Sequence, residues 1–268
     1  MRKRNIMWGA GAVVCSAALI VTLISHVSRG ATTSSNPTGQ SVRHARETSP
    51  STTSAFTKGK STSSQTLTVM AIGGSSAQGY DAPKLDGYLT RAMQTVSSKL
   101  NLHINFVNKA VSGGIPTMLA PQYDPLLYQV KPNVVLIAWG LLNDIARKTP
   151  QAMFERVIKD EVSMAVAYGA DVWIVTPPVT PATYVGHDVK LEQVYTNLEV
   201  AGAREVHSSH VHVFDLLSAM KSYLKVHHLS YKPYASNNWH MNLAGHILAG
   251  QILANEILTK SKAIGLVA

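Results

Sequence analysis

Five short apolar runs punctuate the chain after residue 66: LTVMAIG from Leu67, INFVN from Ile104, VVLIAWG from Val134, VWIVTPP from Val172 and VHVFD from Val211. Little polar alternation interrupts them, which is the pattern of strands covered on both faces. Helix-like stretches lie between the runs, over 83–100, 150–168, 188–206 and 241–260. In the last of these, Leu243, Ile247, Gly250, Ala254, Ile257 and Leu258 share one face at helical spacing, and His246, Asn255 and Glu256 lie off it. Strand and helix alternate, so the pattern predicts one α/β domain over 66–268. It is a three-layer α/β/α domain around a mainly parallel five-stranded sheet. No internal repeat is apparent.

Upstream the pattern changes. Residues 6–24, IMWGAGAVVCSAALIVTLI, are uncharged and mostly apolar behind Arg2, Lys3 and Arg4. At about 1.5 Å per residue this run matches a hydrocarbon core of roughly 30 Å. Residues 1–30 are therefore expected to be a transmembrane anchor whose basic flank stays cytoplasmic. The rival reading is a signal peptide cut before Ala31, which would leave a secreted domain. Either way the bulk of the chain is expected on the extracytoplasmic side. From 31 to 65, serine and threonine dominate, and Val42 and Phe56 are the only sizeable apolar side chains after Thr32. Such a segment buries too little to offset its chain entropy, so a disordered linker is expected.

Composition narrows the chemistry. The only cysteine, Cys15, lies inside the first apolar segment, so the exported part has no disulfide framework, cysteine nucleophile or cysteine-based zinc site. The formal charge is +9, but Arg2, Lys3, Arg4 and Arg29 flank that same segment and the remainder is only mildly basic. No Lys/Arg stripe with interleaved aromatics appears, which argues against nucleic acid as a partner. His210 and His212, in HSSHVHVF, alternate along one strand face, but two imidazoles without a carboxylate or cysteine make a poor zinc site. No metal or cofactor is expected.

The first run ends in GGSSAQGY, Gly73 to Tyr80. In open α/β sheets, sites form where strands end at their carboxyl edge, so this cluster could be a phosphate cradle, a plain turn or an exposed nucleophile. Gly74 and Gly79 have phosphate-loop spacing, but Tyr80 stands where the lysine belongs. Ser75 breaks the dinucleotide fingerprint, and Ala77 breaks the G-x-S-x-G elbow.

GGSSAQG resembles the first block, G-D-S-x-x-x-G, of the SGNH (GDSL) hydrolases. Ser75 matches the nucleophile, and Gly74 replaces the usual aspartate. NKAVSGG is similar to the second block, with Gly113 at its glycine. WGLLND is similar to the third, G-x-N-D, with one extra residue between Gly140 and Asn143. NNWHMN is similar to the fifth, D-x-x-H, with His240 as the histidine and Asn237 at the aspartate position. The blocks follow family order. The resemblance implies a flavodoxin-like sheet and a serine esterase: Ser75 as nucleophile, His240 as base, and Ser75, Gly113 and Asn143 as oxyanion donors.

The chemistry of these side chains is consistent with that. Ester hydrolysis needs a base to take the proton of an alcohol, and donors where the carbonyl oxygen becomes negative. Asn237 is the open question, because an amide accepts a ring N–H but carries no charge. It leaves three readings: Asn237 or a backbone carbonyl orients His240, another carboxylate such as Asp215 serves, or catalysis is weak and the domain binds envelope glycan. An acyltransferase would use the same residues. The expected partner is a small acyl ester or an envelope-glycan substrate.

Overall fold

The computed structural model describes residues 66–84 and 86–267; the 6–24 apolar run and the linker up to residue 65 lie outside the described residues. Five strands, β1 (Thr66–Gly73), β2 (His103–Asn108), β3 (Val134–Ala138), β4 (Asp171–Val175) and β5 (Val211–Phe214), form one sheet in the order β2-β1-β3-β4-β5. Every neighbouring pair is parallel. The helices, in chain order, are α1 (Ser75–Gln78), α2 (Tyr88–Leu100), α3 (Pro116–Val130), α4 (Leu142–Arg147), α5 (Gln151–Tyr168), α6 (Pro181–Tyr184), α7 (Val189–Arg204), α8 (Leu216–Val226) and α9 (Leu243–Lys260). Among the described residues no helix is long and apolar enough to cross a membrane.

The three layers follow from the two-residue period of a strand. Val69 and Ala71 of β1 and Val134 and Leu136 of β3 face a cluster completed by Leu89, Met93, Met220, Leu253 and Ile257 of α2, α8 and α9. Met70 and Ile72, with Val135 and Ile137, face the opposite cluster of Tyr123, Leu127, Phe154, Ile158 and Val162 from α3 and α5. Both faces are dry, which is why these strands read as unbroken apolar runs. The chain crosses from β1 outward to β2 and then back past β1 to β3. That reversal opens a crevice at the carboxyl ends of β1 and β3.

Three expectations need correction. The helix expected from residue 83 begins at Tyr88. Helices α3 and α8 were not foreseen. Pro121 and Pro125 argue against α3, because each removes a helical hydrogen bond, yet both lie on its exposed side while Tyr123 and Leu127 are buried. In α9 the periodicity holds for Gly250, Ala254 and Ile257, which are buried, but the buried face extends beyond it. His246, Leu248, Ala249 and Leu253 are inside, whereas Leu243 is exposed.

The reason is His246. Its Nδ1 accepts the Tyr88 N–H at 3.2 Å, and its Nε2 donates to the Tyr80 carbonyl at 2.8 Å. Gly87 has no side chain to cap α2, so the buried imidazole satisfies one of that helix's free N–H groups. Burial keeps the ring below its ordinary pKa, in the neutral form that both bonds require.

Candidate active site

Ser75 opens α1 directly after β1, half-buried at the crevice. Its glycine neighbours have separate reasons. A Cβ on Gly73 would collide with the Ala138 carbonyl of β3, so this strand end tolerates no side chain. Gly79 ends the single turn of α1 in the left-handed region, at φ +97°. Gly74 is different. A Cβ there would meet only ordinary contacts, the nearest being the Asn143 Nδ2 at 3.6 Å.

His240 reaches this serine across 165 residues of chain, with Nε2 2.8 Å from Ser75 Oγ. Its other nitrogen, Nδ1, lies 3.1 Å from Asn237 Oδ1. The identity of that amide atom is fixed by its surroundings, because it also accepts the backbone N–H groups of Trp239 at 2.8 Å and His240 at 3.0 Å. Only oxygen can accept all three. Nδ1 must therefore carry the imidazole proton and donate it to Asn237. Nε2 is then left with a lone pair aimed at the serine hydroxyl, which is the tautomer a general base needs. Burial holds the ring below its ordinary value of 6.5, with the Asp81 carboxylate pulling the other way.

The remaining blocks converge on the same crevice. Gly113 sits in the left-handed region at φ +75°, and a Cβ there would meet nothing within 4 Å. It is glycine for its backbone conformation rather than for space. Among the described residues, neither the Ser75 nor the Gly113 N–H has a hydrogen-bond partner. The Asn143 amide donates to the Gly114 carbonyl at 3.3 Å, beside Gly74. The extra residue in Gly140–Asn143 is absorbed by a tight turn. The Leu142 N–H donates to the Gly140 carbonyl at 2.7 Å, and Leu141 is forced to φ +61°. A leucine there costs on the order of 1–2 kcal/mol, and its fully buried side chain holds it in place.

Asp215 does not serve as a third member. It caps α8, accepting from the Ser218 N–H at 3.1 Å and the Thr176 hydroxyl at 3.0 Å. His210 precedes β5 and pairs with Asp171 at 2.7 Å. Among the described residues, no group of three or more histidines and carboxylates is arranged to hold a metal ion.

Two supports were not visible in the sequence. Asn108, ending β2, donates to the Ala77 carbonyl at 2.8 Å and so tethers α1. Beside α4, which carries Asn143, lies a buried cluster of acids: Asp144 of the same helix, Glu161 of α5, and Glu192 and Glu199 of α7. Trp139 donates its indole N–H to Glu161 at 3.0 Å. Burial pushes Asp144 up to about 6, and Glu161 and Glu192 up to about 8. Glu199 is held well above the usual carboxylate range, with burial the main cause and the neighbouring carboxylates adding to it.

The family model of GDSL-like lipases and acylhydrolases matches residues 71–248, a span holding Ser75, Gly113, Asn143, Asn237 and His240. No curated protein matches the chain in sequence. Solved structures share its fold, three of them as follows. An alpha/beta hydrolase enzyme from the metagenome of Lake Arreo is 20% identical, with a TM-score of 0.59 over 74% of this chain and 96% of that one. An acetylxylan esterase from Geobacillus stearothermophilus is 21% identical, with a TM-score of 0.58 over 74% and 94%. A psychrotrophic esterase from Pseudoalteromonas sp., in a form inhibited by monoethylphosphonate, is 17% identical, with a TM-score of 0.58 over 73% and 98%.

Proposed function

The chain belongs to the GDSL-like lipase/acylhydrolase family, and from that premise we propose that it is an extracytoplasmic esterase that removes short acyl groups, acetyl above all, from carbohydrate. The observation that carries this is the Ser75–His240–Asn237 relay, with its hydrogen-bond directions fixed by the Asn237 oxygen. As Ser75 Oγ bonds to the ester carbonyl carbon, its proton passes to His240 Nε2. The oxyanion is held by the Ser75 and Gly113 N–H groups and the Asn143 amide, whose present bond to Gly114 is long enough to exchange. The C–O bond to the alcohol breaks, and His240 returns the proton to the leaving oxygen. Water then attacks the acyl-enzyme, His240 takes its proton, and the acid departs as Ser75 regains its hydrogen.

Two features support a carbohydrate ester. The rim carries partly exposed aromatic side chains, Tyr80, Tyr184, Tyr231 and Trp239, and flat rings of this kind receive the C–H faces of sugars. Helix α6, which bears Tyr184, is tied to the histidine loop by the Ala182 N–H to the Asn238 carbonyl at 2.9 Å. The acetylxylan esterase from Geobacillus has the same fold. The uncharged run 6–24 behind its basic flank supports a membrane tether, or secretion where that run is cut. A second reading, a catalytically weak glycan binder, is favoured by the missing charge at Asn237.

Release of acetate from acetylated xylo-oligosaccharides and from p-nitrophenyl acetate tests the proposal. Turnover of both is expected; retention of the oligosaccharide without acetate release would support the binder instead. The pH profile adds a sharper check. A base held below 6.5 is mostly unprotonated at neutral pH, so the acid limb of kcat/KM should have its midpoint below pH 6.5. A midpoint above 7 in the free enzyme would contradict the environment described for His240.

A further inference from the structure

Each time Ser75 attacks, His240 becomes a cation, and position 237 offers it an amide. A carboxylate comes from elsewhere in the chain. Asp81 follows the nucleophile turn, and its Oδ2 accepts from Ser236 Oγ at 2.5 Å across 155 residues. Ser236 in turn donates its N–H to the His240 carbonyl at 2.9 Å. Asp81 is therefore one side chain away from the loop that carries the base. Its backbone is held at φ +63°, a region sparsely used outside glycine, asparagine and aspartate. Beside it, Tyr80 lays its ring over the His240 imidazole, with centroids 4.2 Å apart and planes 32° apart.

We propose that Tyr80 and Asp81 together supply the charge compensation that an aspartate at position 237 would give, with Asp81 a positioning residue acting on His240 through the Ser236 bridge. The inference rests on the esterase reading above. Both effects favour the imidazolium over the neutral ring: the carboxylate by its charge, the tyrosine by its electron-rich face. An interaction that strengthens as charge develops lowers the barrier rather than merely tightening binding. Among the described residues, Asp81 is the charged group that acts on His240 against the effect of burial. Arg91 and Asp86, which pair with each other at 2.5 Å, bear on His246, as Asp81 also does. His246 itself is held neutral between Tyr88 and Tyr80.

Asp81→Asn keeps an oxygen for the Ser236 hydroxyl and removes only the charge. Because the carboxylate is exposed, the expected loss is modest, about two- to fivefold in kcat/KM on the plateau. The acid limb should move to lower pH with thermal stability unchanged. Adding Asn237→Asp to this variant should restore the rate and carry the limb back upward, since a carboxylate in direct contact shifts an imidazole by about one unit or more. On p-nitrophenyl acetate, which offers no sugar face to the rim, Tyr80→Leu should lower kcat more than it changes KM. A pH profile for Asp81→Asn that superimposes on the parent would overturn the proposal while Ser75 still reacts with a fluorophosphonate. Failure of the parent protein to react with that probe would instead overturn the esterase reading beneath it.

Discussion

Ser75→Ala is expected to lower kcat for ester hydrolysis by about 10⁵-fold or more, to the level that oxyanion donors and binding sustain alone. The hydroxyl makes one side-chain hydrogen bond, to His240 Nε2, so its loss leaves no buried donor or acceptor stranded in the core. The melting temperature should therefore hold. His240→Ala should cost about as much, and the double variant little more than either, because a nucleophile without its base and a base without its nucleophile fail together. Initial rates on p-nitrophenyl acetate with purified variants check this. More than a tenth of the parent rate in Ser75→Ala would mean that another group attacks the ester.

The second large effect concerns stability rather than rate. Glu161 and Glu192, raised to about 8, and Glu199, raised well above the usual carboxylate range, are protonated in the folded protein at neutral pH. In the unfolded chain the same groups are ionised above about 4.5. Between those limits the native state binds more protons, so stability falls as pH rises. Below 6.5 the imidazoles held down by burial, His212, His240 and His246, act in the opposite direction and lose stability as pH falls. From 6.5 to about 8 the carboxyl effect of these three buried glutamates dominates. There the melting temperature should drop by on the order of 10 °C. Glu199→Gln should flatten that slope and raise the melting temperature at pH 8. A melting temperature that stays level or rises from pH 6.5 to 8 would show that these acids are not buried as described.

These acids also mark the limit of sequence reading. A glutamate on an amphipathic helix is ordinarily solvated, and nothing in the spacing of Glu192 and Glu199 signals that α7 turns both inward. Strands β1, β3 and β4 were legible because burial on two faces leaves unbroken apolar runs. Helix α3 was not, since its prolines break the local pattern and only packing against α5 restores it. In α9, periodicity found Gly250, Ala254 and Ile257 but placed His246 outside, because that imidazole behaves as a core residue with two satisfied nitrogens. Ser75, Gly113, Asn143, Asn237 and His240 were readable because each belongs to a short local block. The Asp81–Ser236 contact was not, because neither residue carries a local pattern that names the other.

The most direct measurement is covalent labelling of the full chain with a fluorophosphonate probe, followed by intact-mass analysis and peptide mapping. One adduct is expected, on Ser75, forming faster as pH rises through the titration of His240 and lost in His240→Ala. No adduct, an adduct on another residue, or a rate indifferent to His240 would mean that the imidazole oriented by Asn237 does not activate this serine.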